Sequence, residues 1–386
     1  MNAPRELEAR LAQWLDATAS AEGSDQVLAA ALAQAADVRQ EGIRRSAQSQ
    51  RLRRLARPIV VAAALGAAVV VVAVTAIPPV PEAASARVTG VWPTGPDIAF
   101  TAELPPEAPT GIYWRAASYD RWSGGERGWS ASDGRSVSVD AGASILDVAH
   151  ESLPTTGRDE VTATITSGRA ATSVVSPGIP VRLDQFAQIE TTGPGGPLVE
   201  VSLANPTRSY GVTGLLGNEG QPTAGSMTAA DYPADIRATY AQAPAAGELG
   251  PSSMAFLGAV RASAGDDPYR LAVGMVEAFN DAAFVYDVDT RDIDCGADGF
   301  TECFLRVKRG YCMYFATAMI MLLRHEGIPA RIVMGFLPGE RVGSVETVRT
   351  RAAHAWVEVF FPGRGWISFD PTPRSGPTVV PVTATP

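Results

Sequence analysis

At 386 residues the chain is long enough for two or three domains with at least one sizeable core, and its composition is ordinary for a globular protein apart from abundant alanine and glycine. The net charge of −9 is unevenly spread, with residues 1–57 at +2 and residues 58–386 at −11. So acidic a body argues against nucleic acid as a partner.

In residues 1–57, Leu7, Leu11, Trp14 and Leu15 share one helical face, and Leu28, Ala31, Leu32 and Ala35 share another, with Ser24 and Asp25 as capping residues between them. So short a pair buries little by itself. It reads either as two cytoplasmic helices that dock on a protein partner or as a solvated helical tail. Residues 58–77 hold no charged residue and, at about 1.5 Å per residue, match the hydrocarbon core of a bilayer. Arg44, Arg45, Arg51, Arg53, Arg54 and Arg57 precede this run, whereas Pro78 and Pro79 follow it. The positive-inside rule then places residues 1–57 in the cytoplasm and the rest of the chain outside the cell membrane, held by a single-pass anchor. Ala84-Ser85-Ala86 resembles a cleavage site, but the apolar run and its leader are too long for a signal peptide, so an uncleaved anchor is expected.

Residues 78–111 are rich in proline and glycine and read as a spacer. Residues 112–228 read as a β-rich extracytoplasmic domain, an antiparallel sandwich or small barrel. Within it Val161-Thr162-Ala163-Thr164-Ile165-Thr166 and Val199-Glu200-Val201-Ser202-Leu203 alternate strictly. Tyr113-Trp114-Arg115, Tyr119-Asp120-Arg121-Trp122 and Trp129 make an aromatic cluster suited to core packing or to a ligand platform.

Residues 229–374 form the third region, followed by an expected disordered tail at 375–386. Helices are predicted from Pro233 and over Pro268 to Phe279, where Leu271, Met275 and Phe279 share a face. Phe284-Val285-Tyr286 reads as a short strand. The aspartates from Asp287 to Asp294 follow a spacing like that of a calcium loop but lack its glycine, so a solvated acidic loop is expected rather than a metal site. Gly310-Tyr311-Cys312 then opens an apolar run closed by Gly327 and Pro329, which places Cys312 in the first turn of a buried helix. Strands follow at 330–336, 354–360 and 366–370, with a loop at 338–351 and a turn at 362–365.

A cysteine at a helix N-terminus is either a small core residue or a nucleophile. A nucleophile needs a base, and the base needs an orienting acceptor. The chain has three histidines. His150 lies in the β region and His325 at the far end of the helix, which leaves His354. Glu358 shares the face of His354 but sits roughly 13 Å along the same strand. Asp370, on the next strand, can approach diagonally.

Gly310-Tyr311-Cys312…Phe315-Ala316, Leu323-Arg324…Gly327-Ile328-Pro329-Ala330-Arg331, His354-Ala355-Trp356-Val357-Glu358-Val359 and Gly365-Trp366…Asp370-Pro371-Thr372 together resemble the transglutaminase-like core. The resemblance covers roughly residues 230–374, and the aromatic stretch before it resembles the exported region of bacterial membrane-anchored members. It implies an α+β, papain-like fold in which the helix bearing the cysteine packs on an antiparallel sheet. In this chain that core would be preceded by an all-β domain and one transmembrane helix. The resemblance also implies Cys312 as nucleophile, His354 as base and Asp370 as its orienter, with no metal or other cofactor. The activity implied is acyl transfer from an amide of a protein or peptide, a cell-wall peptide among the substrates considered. The same triad would serve a surface peptidase or amidase, and a catalytically silent binding or signalling module is the reading from another class.

Two further expectations concern geometry. The chain has three cysteines, all in the part read as exported, where a Cys295–Cys303 bridge would leave Cys312 free; three reduced thiols are the alternative. His354 and Asp370 can share a face only if the hairpin between their strands has an odd-length loop or a bulge, which sets Trp356 opposite Asp370.

Overall fold

The computed structural model describes residues 92–373, except 126, 133, 150–157, 193–196 and 218–230, together with the backbone of 85–86. The expected cytoplasmic segment, the membrane span at 58–77, His150 and the tail at 375–386 lie outside the described residues. Among the described residues, no helix is long and apolar enough to cross a membrane.

The principal elements are β1 (Ile98–Glu103), β2 (Trp114–Tyr119), β3 (Glu160–Ser173), β4 (Leu198–Leu215), α1 (Ala234–Tyr240), α2 (Pro251–Ala264), α3 (Pro268–Phe279) and β5 (Val285–Tyr286). They continue with α4 (Phe300–Val307), β6 (Arg309–Gly310), α5 (Cys312–His325), β7 (Ala330–Phe336), β8 (Glu340–Val342), β9 (Val345–Arg349), β10 (Ala353–Phe361) and β11 (Gly365–Phe369). Nine strands run in the order β8-β9-β1-β3-β4-β2-β7-β10-β11 through a sheet of 13. Every neighbouring pair on that path is antiparallel. In β3 the alternation read from the sequence holds: Val161, Ala163 and Ile165 are buried while Thr162, Thr164 and Thr166 are exposed.

Two expectations are corrected here. The β-rich region does not stand apart as an all-β domain, because β2 pairs with β7 (Ile332 with Tyr119, Val333 with Ser118) and joins the early strands to the later ones in one sheet. It does keep its own core, centred on Phe100, Trp114, Ile165, Ile189 and Val212. Nor is 78–111 merely a spacer: β1 is hydrogen-bonded between β3 and β9, and Trp92 is buried against the helical core. The expected loop at 338–351 also contains the β8–β9 hairpin. The buried face of β9 carries Glu346, which accepts hydrogen bonds from Trp114 Nε1 (2.9 Å) and Gly339 N–H (2.7 Å). A carboxylate on the inward face hides the alternation that marks a strand.

The second core is organised around α5. Of its 14 residues only His325 is not buried. Its flanks pack on α3 and α4 and on Ile332, Met334, Ala355, Val357 and Val359 of the sheet. Each fully buried Leu, Ile, Met or Phe of this helix contributes about 1.5–3 kcal/mol by leaving water. At the C-terminal end, Gly327 adopts φ +73°, Ile328 N–H donates to Leu323 O and Gly327 N–H to Arg324 O. This is the double hydrogen bond of a Schellman stop, with Pro329 just beyond. The predicted α3 also forms over Pro268–Phe279, with Leu271, Met275 and Phe279 buried.

α4 keeps a helical period, with Phe300, Cys303, Phe304 and Val307 on one face, and its buried side also takes in a carboxylate. Glu302 turns in to accept hydrogen bonds from the N–H groups of Gly250, Ser252 and Ser253 and from the Ser253 hydroxyl, and so caps α2. Burial acts to raise its pKa, but these donors prevail and hold it down at about 2. A group depressed in the fold stabilises above its unfolded pKa of about 4.5 and loses that contribution as pH falls through the folded value. Glu302→Ala is expected to lower stability by about 2–3 kcal/mol, the worth of hydrogen bonds to a charged acceptor. Urea unfolding at pH 7 and pH 3 checks this, since the difference from wild type should shrink at pH 3.

Candidate active site

Cys312 is the first residue of α5, and the Tyr311 side chain before it makes no capping bond. The approach to that helix needs glycine at 310, where a Cβ would lie 2.5 Å from the Tyr314 ring. β5 pairs in parallel with β6, with Tyr286 set against Gly310, so Tyr286 is held beside the start of the helix. Burial raises the pKa of its phenol, and the neighbouring Cys312 side chain acts in the same direction.

His354 lies on β10 and Asp370 follows β11. The hairpin between them closes on the Phe361–Gly365 pair, with a loop of three residues, 362–364. Arg364 N–H donates to Phe361 O, and Gly363 and Gly365 adopt φ +75° and +73°. The ladder ends at the Val357–Phe369 pair, one step short of Asp370, in the register that would set Trp356 against Asp370 if continued. His354 Nε2 and Asp370 Oδ2 are 2.9 Å apart. The Cys312 side chain lies near enough to the His354 imidazole to act on its charge. The three residues singled out in the sequence are therefore brought together. His325, by contrast, is exposed at the far end of α5.

His354 is buried, which by itself would depress its pKa; the Asp370 carboxylate and the Cys312 side chain outweigh burial and raise it to about 10. The imidazolium is thus the favoured form at neutral pH, placed beside Asp370 and Cys312. Glu358 is committed elsewhere: it accepts from Arg115 Nη1 (2.5 Å) and Arg331 Nε (2.7 Å) in a buried cluster, with the Arg331 guanidinium 4.0 Å above the Trp366 ring.

Cys295 and Cys303 form a disulfide, the pairing expected, and Cys312 is free. The acidic loop is drawn into ion pairs, Asp287 and Asp292 with Arg309 and Asp289 with Arg291. Among the described residues no cluster of His, Cys, Asp or Glu is arranged to hold a metal ion.

Two contacts were not foreseen. Trp92 stacks on Tyr311 with ring centroids 5.0 Å apart and donates from Nε1 to Ala353 O (2.9 Å), bridging the residues just before Cys312 and His354. Tyr113 donates its hydroxyl to Asp370 Oδ2 (2.9 Å). The rest of the aromatic cluster packs: Trp114, Tyr119 and Trp129 are buried, and Trp129 Nε1 donates to Thr317 on α5. The sequence marks these residues as aromatic, but their partners lie more than 180 positions away.

Comparison with known proteins agrees with this geometry. Residues 263–371 match the family model of the transglutaminase-like superfamily. The protein-glutamine gamma-glutamyltransferase of Pseudomonas aeruginosa is 38% identical over 112 residues, which are 28% of this chain and 16% of that protein. The uncharacterized protein YebA of Bacillus subtilis is 42% identical over 97 residues, 23% of this chain and 13% of its own length. This chain thus spans a minor part of the relatives it matches. In structure it resembles the periplasmic domain of TgpA from Pseudomonas aeruginosa, with a TM-score of 0.51 and 23% identity over 72% of this chain and 88% of that one, a likeness of fold. The matched segment holds the helix with Cys312 and the strands that position His354 and Asp370, and on these grounds residues 263–371 are a domain of the transglutaminase-like superfamily.

Proposed function

We propose that this protein is a membrane-anchored, extracytoplasmic thiol acyltransferase that uses Cys312, His354 and Asp370 on amide substrates. What supports the reading is His354, 2.9 Å from Asp370 Oδ2 and close to Cys312 at the start of α5, with Asp370 and Cys312 both acting to raise its pKa. With the Cys312 proton transferred to His354, Sγ attacks the amide carbonyl, the His354 imidazolium protonates the departing nitrogen, and the acyl group remains as a thioester. An incoming amine then gives its proton to His354 as it attacks the thioester, releasing Cys312. The Cys312 N–H, in the first turn of α5, is a candidate donor to the developing oxyanion.

The name of the Pseudomonas relative, a protein-glutamine gamma-glutamyltransferase, supports a glutamine carboxamide as acyl donor. Export is supported by the uncharged run at 58–77 with its arginine flank, and by the Cys295–Cys303 bridge, which suits an oxidising compartment.

Glutamine-containing peptides and amidated cell-wall-type peptides offered with a fluorescent primary amine test the reading. Ammonia release matched by covalent amine incorporation is the expected result. Ammonia release without incorporation would assign hydrolysis to the same triad, and neither product from any peptide would remove the enzymatic reading.

A further inference from the structure

We infer that Tyr113, outside the family-matched segment, is a positioning residue for the acid of the triad, so that the early β region completes the active site. This deepens the functional reading above and rests on it. Asp370 is gripped from three directions: His354 Nε2 and the Tyr113 hydroxyl both lie 2.9 Å from Oδ2, and the Thr372 N–H donates to Oδ1 at 3.1 Å. Asp370 lies just past the end of β11, where the ladder no longer restrains the chain. Tyr113 immediately precedes β2, which is paired along β7, itself the neighbour of β10. Its hydroxyl is therefore delivered by a rigid sheet to a carboxylate at a strand end. The ring has a second contact, edge-on to Trp356 with centroids 5.2 Å apart and 6.4 Å from the His354 ring.

A hydroxyl donating to the oxygen that also faces His354 does two things. It prevents the carboxylate from rotating away from the imidazole, and it draws off part of the negative charge that holds the imidazolium. Without the hydroxyl the carboxylate attracts the imidazolium more strongly but is less well oriented. The titratable groups around this imidazole are Asp370 after β11, Cys312 on α5 and Tyr113 itself, with Tyr286 on β5 reaching the same thiol and carboxylate.

The test is Tyr113→Phe in the full chain, which keeps the ring against Trp356 and removes only the hydroxyl. Two rates are followed against pH: acyl transfer, and alkylation of Cys312 by iodoacetamide, which needs no substrate. The expected result is a fall in kcat of about tenfold, together with a rise of about one unit in the pH at which the His354-dependent limb of both profiles ends, the size of one hydrogen bond to a charged group. Thermal unfolding is measured alongside. A limb that stays in place or moves down overturns the positioning role, whatever happens to stability. If the wild-type alkylation profile shows no limb that His354→Gln abolishes, the triad reading fails instead.

Discussion

Cys312→Ala should reduce acyl transfer by about 10⁴-fold or more, while the protein stays folded, since the side chain is small and no bond but those of the site depends on it. His354→Ala should cost about 10²–10⁴-fold, the usual worth of a general acid–base. Residues that act as one unit are not additive, so the double variant should be no slower than Cys312→Ala alone. The pH dependence follows from the raised pKa of His354, about 10 against an ordinary 6.5. Because the folded pKa is the higher one, the interaction stabilises fully below about pH 6.5, and its contribution declines as pH rises through about 10. Asp370→Asn removes the strongest influence raising that pKa. The alkaline limb of kcat/KM should then move towards neutrality, and a limb that stayed near 10 would mean that Asp370 does not act on His354.

Glu358→Ala should destabilise the protein by about 3–5 kcal/mol, because it leaves the Arg115 and Arg331 charges buried without their carboxylate. Burial opposes ionisation of Glu358, but the two guanidiniums hold its pKa below the ordinary carboxylate value. The cluster ties β2, β7 and β10 together beneath Trp366, so its loss should be seen in denaturant unfolding and in the temperature midpoint. Glu358→Gln, which retains hydrogen-bonding oxygen but no charge, should fall between. Turnover per folded molecule should change far less than for His354→Ala. Equal losses for the two variants would return Glu358 to the list of candidate orienters.

What could be read in the sequence was what local chemistry determines. Glycine and proline mark both ends of α5, strict alternation marks β3, and the parity of a strand pair predicts the odd-length hairpin loop between His354 and Asp370. The Cys295–Cys303 pairing followed from two cysteines separated by eight positions and a third at a helix start. A strand with a polar group on its buried face was hidden. Glu346 obscured β9, because a carboxylate facing inward looks like solvent exposure until its donors are known. The long-range contacts of Trp92 and Tyr113 were hidden for another reason. That of Tyr113 depends on β2 pairing with β7, a junction of two regions that seemed to be separate domains, and Trp92 is joined to the later region by its own N–H to Val288 O.

A thioester at Cys312 is the central intermediate of the proposed chemistry, and intact-protein mass spectrometry after brief exposure to an amide acyl donor and acid quenching looks for it directly. The expected result is a mass increase equal to the acyl group, mapped to Cys312, reversed by a primary amine and absent from Cys312→Ala. It should accumulate more slowly in His354→Gln. Acylation at another residue, or labelling of Cys312 that no amine or water can discharge, would contradict the proposed chemistry.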